Sequence, residues 1–320
     1  MPEWLVERGI GETRAALVDD GEILEARVEL DGAVPPGSVI AARLASTGTD
    51  GRNAFAIGER GIEYMLPRGA AGVTQGATLD IEVTREAIPG PESWKRPLAR
   101  LTERRPQQLP TLRERLGGRE LTFPGSRDEL ATAGWNDLVE DARTGMITFA
   151  GGELRISPTP AMTLIDVDGY LPPEELAVLG SSEAALAVRR FDIGRSIGID
   201  LPTVGSRAVR QAAAAAIDDA LPQPFERTAV NGFGFIQIVR PRLRASLVEL
   251  AQDRPAFEAR ALLRRIAFEP PGPKRIVAHH AVIAALESEW LAELARQVGG
   301  TIELRAADAL PMSGGYAESL

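Results

Sequence analysis

The sequence predicts a multidomain protein of mixed α+β and α/β class. Three observations carry that expectation. Short β-rich runs broken by glycine turns fill the first 87 residues, a proline- and arginine-rich stretch follows over 88–128, and helical and apolar strand segments alternate from residue 174 onward. A chain of 320 residues with 44% apolar and 25% charged residues is long enough to build two or three cores.

Residues 3–30, "EWLVERGIGETRAALVDDGEILEARVEL", read as three strands broken at "GIGE" and at "DDGE", whose Asp-Gly pair has the chemistry of a tight hairpin. "GIG" has no following helix and no third glycine, so it is not a dinucleotide loop. "SVIAARLAST", "NAFAIGE", "IEYMLPR" and "ATLDIEVTREA" continue as short strands at the spacing of a small barrel. Residues 88–128 read as a connector with one short helix, and their arginines serve either as phosphate contacts or as a solvated linker. "DELATAGWNDLVEDART" is an amphipathic helix with Leu130, Trp135, Leu138 and Val139 on one side, and the following hairpin turns at "AGGE".

The second half alternates. "PEELAVLGSSEAALAVRRFD" reads as a helix broken at Gly180, "SIGIDLPTVG" as a strand, and "SRAVRQAAAAAIDDAL" as a helix capped by Ser206. A strand in "ERTAVNGFGFIQIVRP" and a helix at "ASLVELAQ" follow. Helix 254–268, strand "RIVAHH", helix "AVIAALESEWLAELARQVG" and strand "TIELRAA" suggest a separate small α/β domain.

Composition excludes several chemistries. With no cysteine there are no disulfides and no thiolate metal sites, which fits a reducing compartment. His279 and His280 are the only histidines, and as neighbours they point in different directions, which disfavours a two-imidazole site and a histidine-based triad. The N-terminus lacks the apolar core of a signal peptide and no apolar run approaches ~18 residues, so a cytoplasmic protein with no membrane partner is expected. The net charge of −9 bears on solubility and steering, whereas nucleic acid binds a local face. Of the 36 basic residues only Lys95 and Lys274 are lysines, a bias that carries no functional weight.

Three short motifs could carry chemistry. "TLIDVDG" (163–169) sets Asp166 and Asp168 against Gly169, which suits either a turn or a metal site. "IGID" places Asp200 at the end of another strand, where active sites of open α/β sheets gather. "NGFGFIQI" fits the aromatic strand of an RNA-recognition motif, with Phe233 and Phe235 as stacking rings, but "SIGIDLPT" lacks the aromatic partner strand. A buried strand explains at least one of the two rings.

In combination and order, "VEDARTGMITFAGGELRISPTPAMTLIDVDG", "RRFDIGRSIGIDLPTVGSRAVR", "GFGFIQIVRPRLRASL" and "ETRAALVDDGEI" resemble the ribonuclease E/G family of bacterial endoribonucleases. "NAFAIGERGIEYMLP" looks like that family's oligonucleotide-binding (OB-fold) barrel, and residues 254–320 look like its small C-terminal domain.

The resemblance implies RNase H-like parts at 1–32 and 129–155, an OB-fold barrel at 33–90 and a basic connector at 91–128 in place of the 5′ sensor. A DNase I-like catalytic domain would span 156–250 and a small α/β domain 251–320. It further implies Mg²⁺, with Mn²⁺ able to substitute, held by Asp166 and Asp200, and hydrolysis of single-stranded RNA to 5′-phosphate and 3′-hydroxyl ends. Asp168 stands where the family usually has asparagine and joins the catalytic set. Phe55, Tyr64 or Met65, Lys95, Arg240 and Arg242 are the implied RNA-binding residues.

The family's 5′-sensor motif is not found, its zinc-binding cysteine pair is absent, and Gly232 replaces a usual arginine. Zinc is therefore not expected, and any oligomer is not zinc-linked. The alternative is an RNA-binding protein that has lost catalysis and works through the barrel and the connector.

Overall fold

The computed structural model describes residues 1–49, 51–87, 96–107, 109–242 and 244–320, and within them the chain is a mixed α/β protein with several sheets and a closed five-stranded barrel. Strands β1 (Glu3–Arg8), β2 (Glu12–Asp19) and β3 (Glu22–Leu30) form an antiparallel meander. Asp20 and Gly21 make the β2–β3 reversal at φ 48° and 85°, the pair of positive angles that a two-residue hairpin turn requires.

β4 (Val39–Ser46), β5 (Ala54–Ile57), β6 (Glu63–Leu66), β7 (Thr78–Arg85) and β8 (Leu98–Leu101) close the barrel in the order β4-β5-β6-β8-β7. Alternate residues fill it, among them Leu44, Ala54, Ala56, Tyr64, Leu66, Ile81 and Val83. β8 bonds to both β6 and β7, so the closing strand lies beyond the 33–90 span expected for the barrel. Next come α1 (Leu112–Leu116), with a reciprocal Thr111–Glu114 capping box, and β9 (Arg119–Leu121), which adds parallel to β1. Much of the expected connector is therefore built into the barrel and the first sheet. Gly134, at φ 99°, divides the expected single helix into α2 (Glu129–Thr132) and α3 (Trp135–Thr144).

β10 (Met146–Phe149), β11 (Gly152–Pro158), β12 (Thr163–Gly169), β13 (Arg195–Asp200), β14 (Glu226–Arg227) and β15 (Phe235–Arg240) form a sheet in the order β10-β11-β12-β13-β15-β14. β10 and β11 thus pair with the strands that follow them in sequence, not with the β1–β3 meander. The parallel pair β12–β13 is joined through helix α4 (Pro173–Arg190), as a parallel pair demands. Ile165, Val167, Ile197, Ile199, Ile236 and Ile238 point into a core shared with α4 and with α5 (Arg207–Ala220). Gly180 does not break α4. A Cβ there would lie 2.3 Å from Val167 Cγ1, so the glycine lets helix and sheet approach.

α6 (Leu247–Leu250) leads to α7 (Arg254–Ala267) and the small sheet of β16 (Lys274–Ala278), β17 (Ile302–Ala306) and β18 (Tyr316–Ser319). Helices α8 (His280–Ala284) and α9 (Ser288–Val298) share its core with α7. This region is tied to the first sheet by buried ion pairs, Arg264 to Glu7 and Arg260 to Glu12. Among the described residues no helix is long and apolar enough to cross a membrane.

Candidate active site

"TLIDVDG" is strand over its whole length, which removes the turn reading. Its alternation buries Ile165 and Val167 and leaves Asp166 and Asp168 exposed on the other face. The parallel register sets Asp166 beside Asp200, at about the 5 Å separation of neighbouring strands. On the other flank β11 puts Arg155 opposite Asp166 and Glu153 opposite Asp168. Arg155 Nε donates to Glu153 Oε1 at 2.8 Å. The structure therefore brings the three aspartates together on the exposed face of the sheet. Sequence reading missed Arg155 and Glu153, because only the register reveals them.

The cluster is electrostatically frustrated. Partial burial, then the charges of Asp168 and Asp200, push the Asp166 carboxyl above its ordinary range, while Arg155 acts in the opposite direction. No group of three histidines or carboxylates among the described residues is close enough to cage a metal. What Asp166 and Asp200 offer is a pair of hard oxygen donors on an open face. That donor set fits Mg²⁺, which usually takes one or two carboxylates and completes its shell with water and substrate phosphate.

β15 borders this site. Phe235 pairs in register with Asp200, and its ring lies over Gly198, where a Cβ would come within 2.6 Å of it. Before it, the turn at 231–234 is fastened to the end of β13: the Leu201 N–H donates to the Gly234 carbonyl at 3.2 Å. Gly234 has φ 93°, and a Cβ there would sit 2.2 Å from the Leu201 carbonyl oxygen. Tyr170, just past β12, and Phe233, in this turn, are 83% and 82% exposed.

The RNA-binding candidates separate. Phe55 lies half-buried on the barrel's outer side, paired in register with Met65, with Arg96 Cζ 5.4 Å from its ring centre. Tyr64 is corrected: it is 2% exposed and fills the barrel, leaving Met65 as the outward residue. Arg240 is also corrected. It pairs in register with Arg195, roughly 17 Å along the strand from Asp200, and donates to the carbonyls of Ile193 and Val188. The Arg242 side chain is only 3% exposed and is paired with Glu249, so it is structural as well. Lys95 lies outside the described residues. His279 accepts the Ala281 N–H, and His280 pairs with Asp308, both in the C-terminal region.

No protein-family model matches the chain, and no curated protein matches it.

Proposed function

We propose that the protein is a divalent-cation-dependent endoribonuclease that hydrolyses single-stranded RNA, in line with its resemblance to the ribonuclease E/G family. The observation that carries this reading is the pairing of Asp166 with Asp200 on adjacent parallel strands, facing solvent beside a third carboxylate. The closed barrel supports an OB-fold reading, and the first sheet and the six-stranded sheet support RNase H-like and DNase I-like readings.

In this mechanism Asp166 and Asp200 would hold Mg²⁺ through their carboxylate oxygens, and the chemistry it would supply is activation of water and stabilisation of charge on the phosphoryl oxygens. Arg155, exposed beside Asp166, is placed to donate to a phosphate oxygen. Phe55 and Met65, paired on the barrel's outer side, offer a base an apolar surface. The test is incubation of 5′-labelled single-stranded RNA with the protein, in Mg²⁺ and in chelator. Shortened products in Mg²⁺ alone are expected; RNA bound but uncut in both would favour the binding-only reading.

Two further outcomes follow. Asp166 must be ionised to hold a cation, and Asp168 raises its pKa, so Asp168→Asn should move the acid limb of the pH–rate profile to lower pH. An unmoved limb would show that Asp166 ionisation does not govern the rate. Phe55→Ala should weaken RNA binding by ~1–3 kcal/mol with little change in salt dependence, because it removes a stacking surface and no charge. A salt titration of binding, beside a melting curve, checks this.

A further inference from the structure

We propose that Phe233 is a nucleobase platform beside the scissile phosphate, with Tyr170 receiving the base on the other side of Asp200. This rests on the endoribonuclease reading and adds to it the elements that select an unstacked strand. An aromatic ring at 82% exposure is unusual, and here the backbone beneath it is fixed. Asn231 Oδ1 accepts the N–H groups of both Phe233 and Phe235, at 2.9 and 3.0 Å. Thr203 Oγ1 donates to the Phe233 carbonyl at 3.1 Å.

The turn is thus made by Asn231, Thr203 and Gly234, and none of these contacts involves the Phe233 ring. A loop needing only its backbone geometry has no use for an apolar side chain held in water. A rigid platform that meets a flat π-face does. Neither Phe233 nor Tyr170 has an aromatic or cationic stacking partner among the described residues.

Position selects the ligand. Phe233 is two residues from Phe235, the register partner of Asp200, and Tyr170 is two residues beyond Asp168. β12 and β15 flank β13, so Tyr170, which follows the end of β12, and Phe233, in the turn that leads into β15, lie on either side of the Asp200 end. Bases on both sides of a phosphate held at the aspartates would meet them. Every base has a π-face, so the platform would be tolerant of sequence but would reject a paired, stacked duplex.

The test uses a single-stranded RNA carrying 2-aminopurine next to the cleavage site, bound in chelator so that it stays intact. Binding should quench the fluorophore. Phe233→Ala should abolish the quench and weaken binding roughly 5- to 150-fold. Phe233→Trp should restore both, whereas Phe233→Leu, apolar but not aromatic, should not. Tyr170→Ala should remove the quench from a probe on the opposite side.

Unchanged quench and affinity in Phe233→Ala, with an unchanged melting curve, would overturn the platform while leaving the nuclease reading in place. So would rescue by leucine. A shift in oligomeric state in Phe233→Ala with RNA binding intact would make the ring a protein interface and overturn it too. Failure of the wild type to bind or cut any single-stranded RNA would remove both readings.

Discussion

Asparagine in place of Asp166 or Asp200 is expected to slow Mg²⁺-dependent RNA cleavage about a thousandfold or more while leaving RNA affinity in chelator at the wild-type level. Each change removes one charged oxygen from a donor set of two, and neither touches the barrel face around Phe55. Gel analysis of end-labelled RNA gives the rates, and wild-type rates in both variants would end the assignment. Loss of fold is not the expected cause of the loss. The Asp166 carboxyl is raised above 3.8 by burial and by its two aspartate neighbours, so the folded state favours its neutral form. Its contribution to stability is present below the ordinary pKa and is lost as pH rises through the raised one. At neutral pH the charge opposes folding, and Asp166→Asn should melt at or above the wild-type temperature, with the advantage vanishing in acid. That pairing of gained stability with lost activity is what a functional carboxylate cluster produces.

Much of this was legible because short-range chemistry fixes it. The Asp20-Gly21 hairpin and the Ser206 cap follow from local residue types, and the structure has both, whereas the Asp-x-Asp-Gly turn that 163–169 equally suggested is strand throughout. Gly180 and Tyr64 were misread for one shared reason: what they do depends on a partner distant in sequence. Gly180 admits Val167 rather than ending a helix, and Tyr64 faces inward because β8, some thirty residues on, closes the barrel around it. Arg240 and Arg242 resembled phosphate contacts, but Arg240 is held by backbone carbonyls and Arg242, bonded to Glu249 through Nε, is buried away from solvent. At the site, Asp200 could be named from its strand-end position; Asp166 was named the same way, although β12 runs three residues past it. Arg155, Glu153 and the exposure of Tyr170 needed the register of the sheet.

The largest expected loss of stability lies far from the aspartates. Glu7→Ala should destabilise the fold by about 3–5 kcal/mol, the cost of taking the shared carboxylate from two buried arginines and leaving one positive charge of the network uncompensated. Glu7 is 2% exposed and accepts from Arg14 Nη1 at 2.8 Å and from Arg264 Nε and Nη2 at 2.9 and 3.0 Å. Both arginine side chains are themselves buried, at 1% and 4% exposure. Among the described residues one Arg14 guanidinium nitrogen has no partner, so the arginine has little with which to replace the lost carboxylate. Arg264 would keep Asp128, and Arg14 would keep Glu12, which also serves Arg260. The exposed pair Arg113–Glu120, 54% accessible on both sides, sets the contrast: breaking it should cost ~0–1 kcal/mol. Urea denaturation of the two variants beside the wild type measures the difference. A Glu7→Ala midpoint no lower than that of Glu120→Ala would show that the buried network adds nothing to stability. If the network acts by compensating buried charge, Glu7→Leu combined with Arg264→Met should recover much of the loss, because removing both charges also removes the penalty of burying one alone.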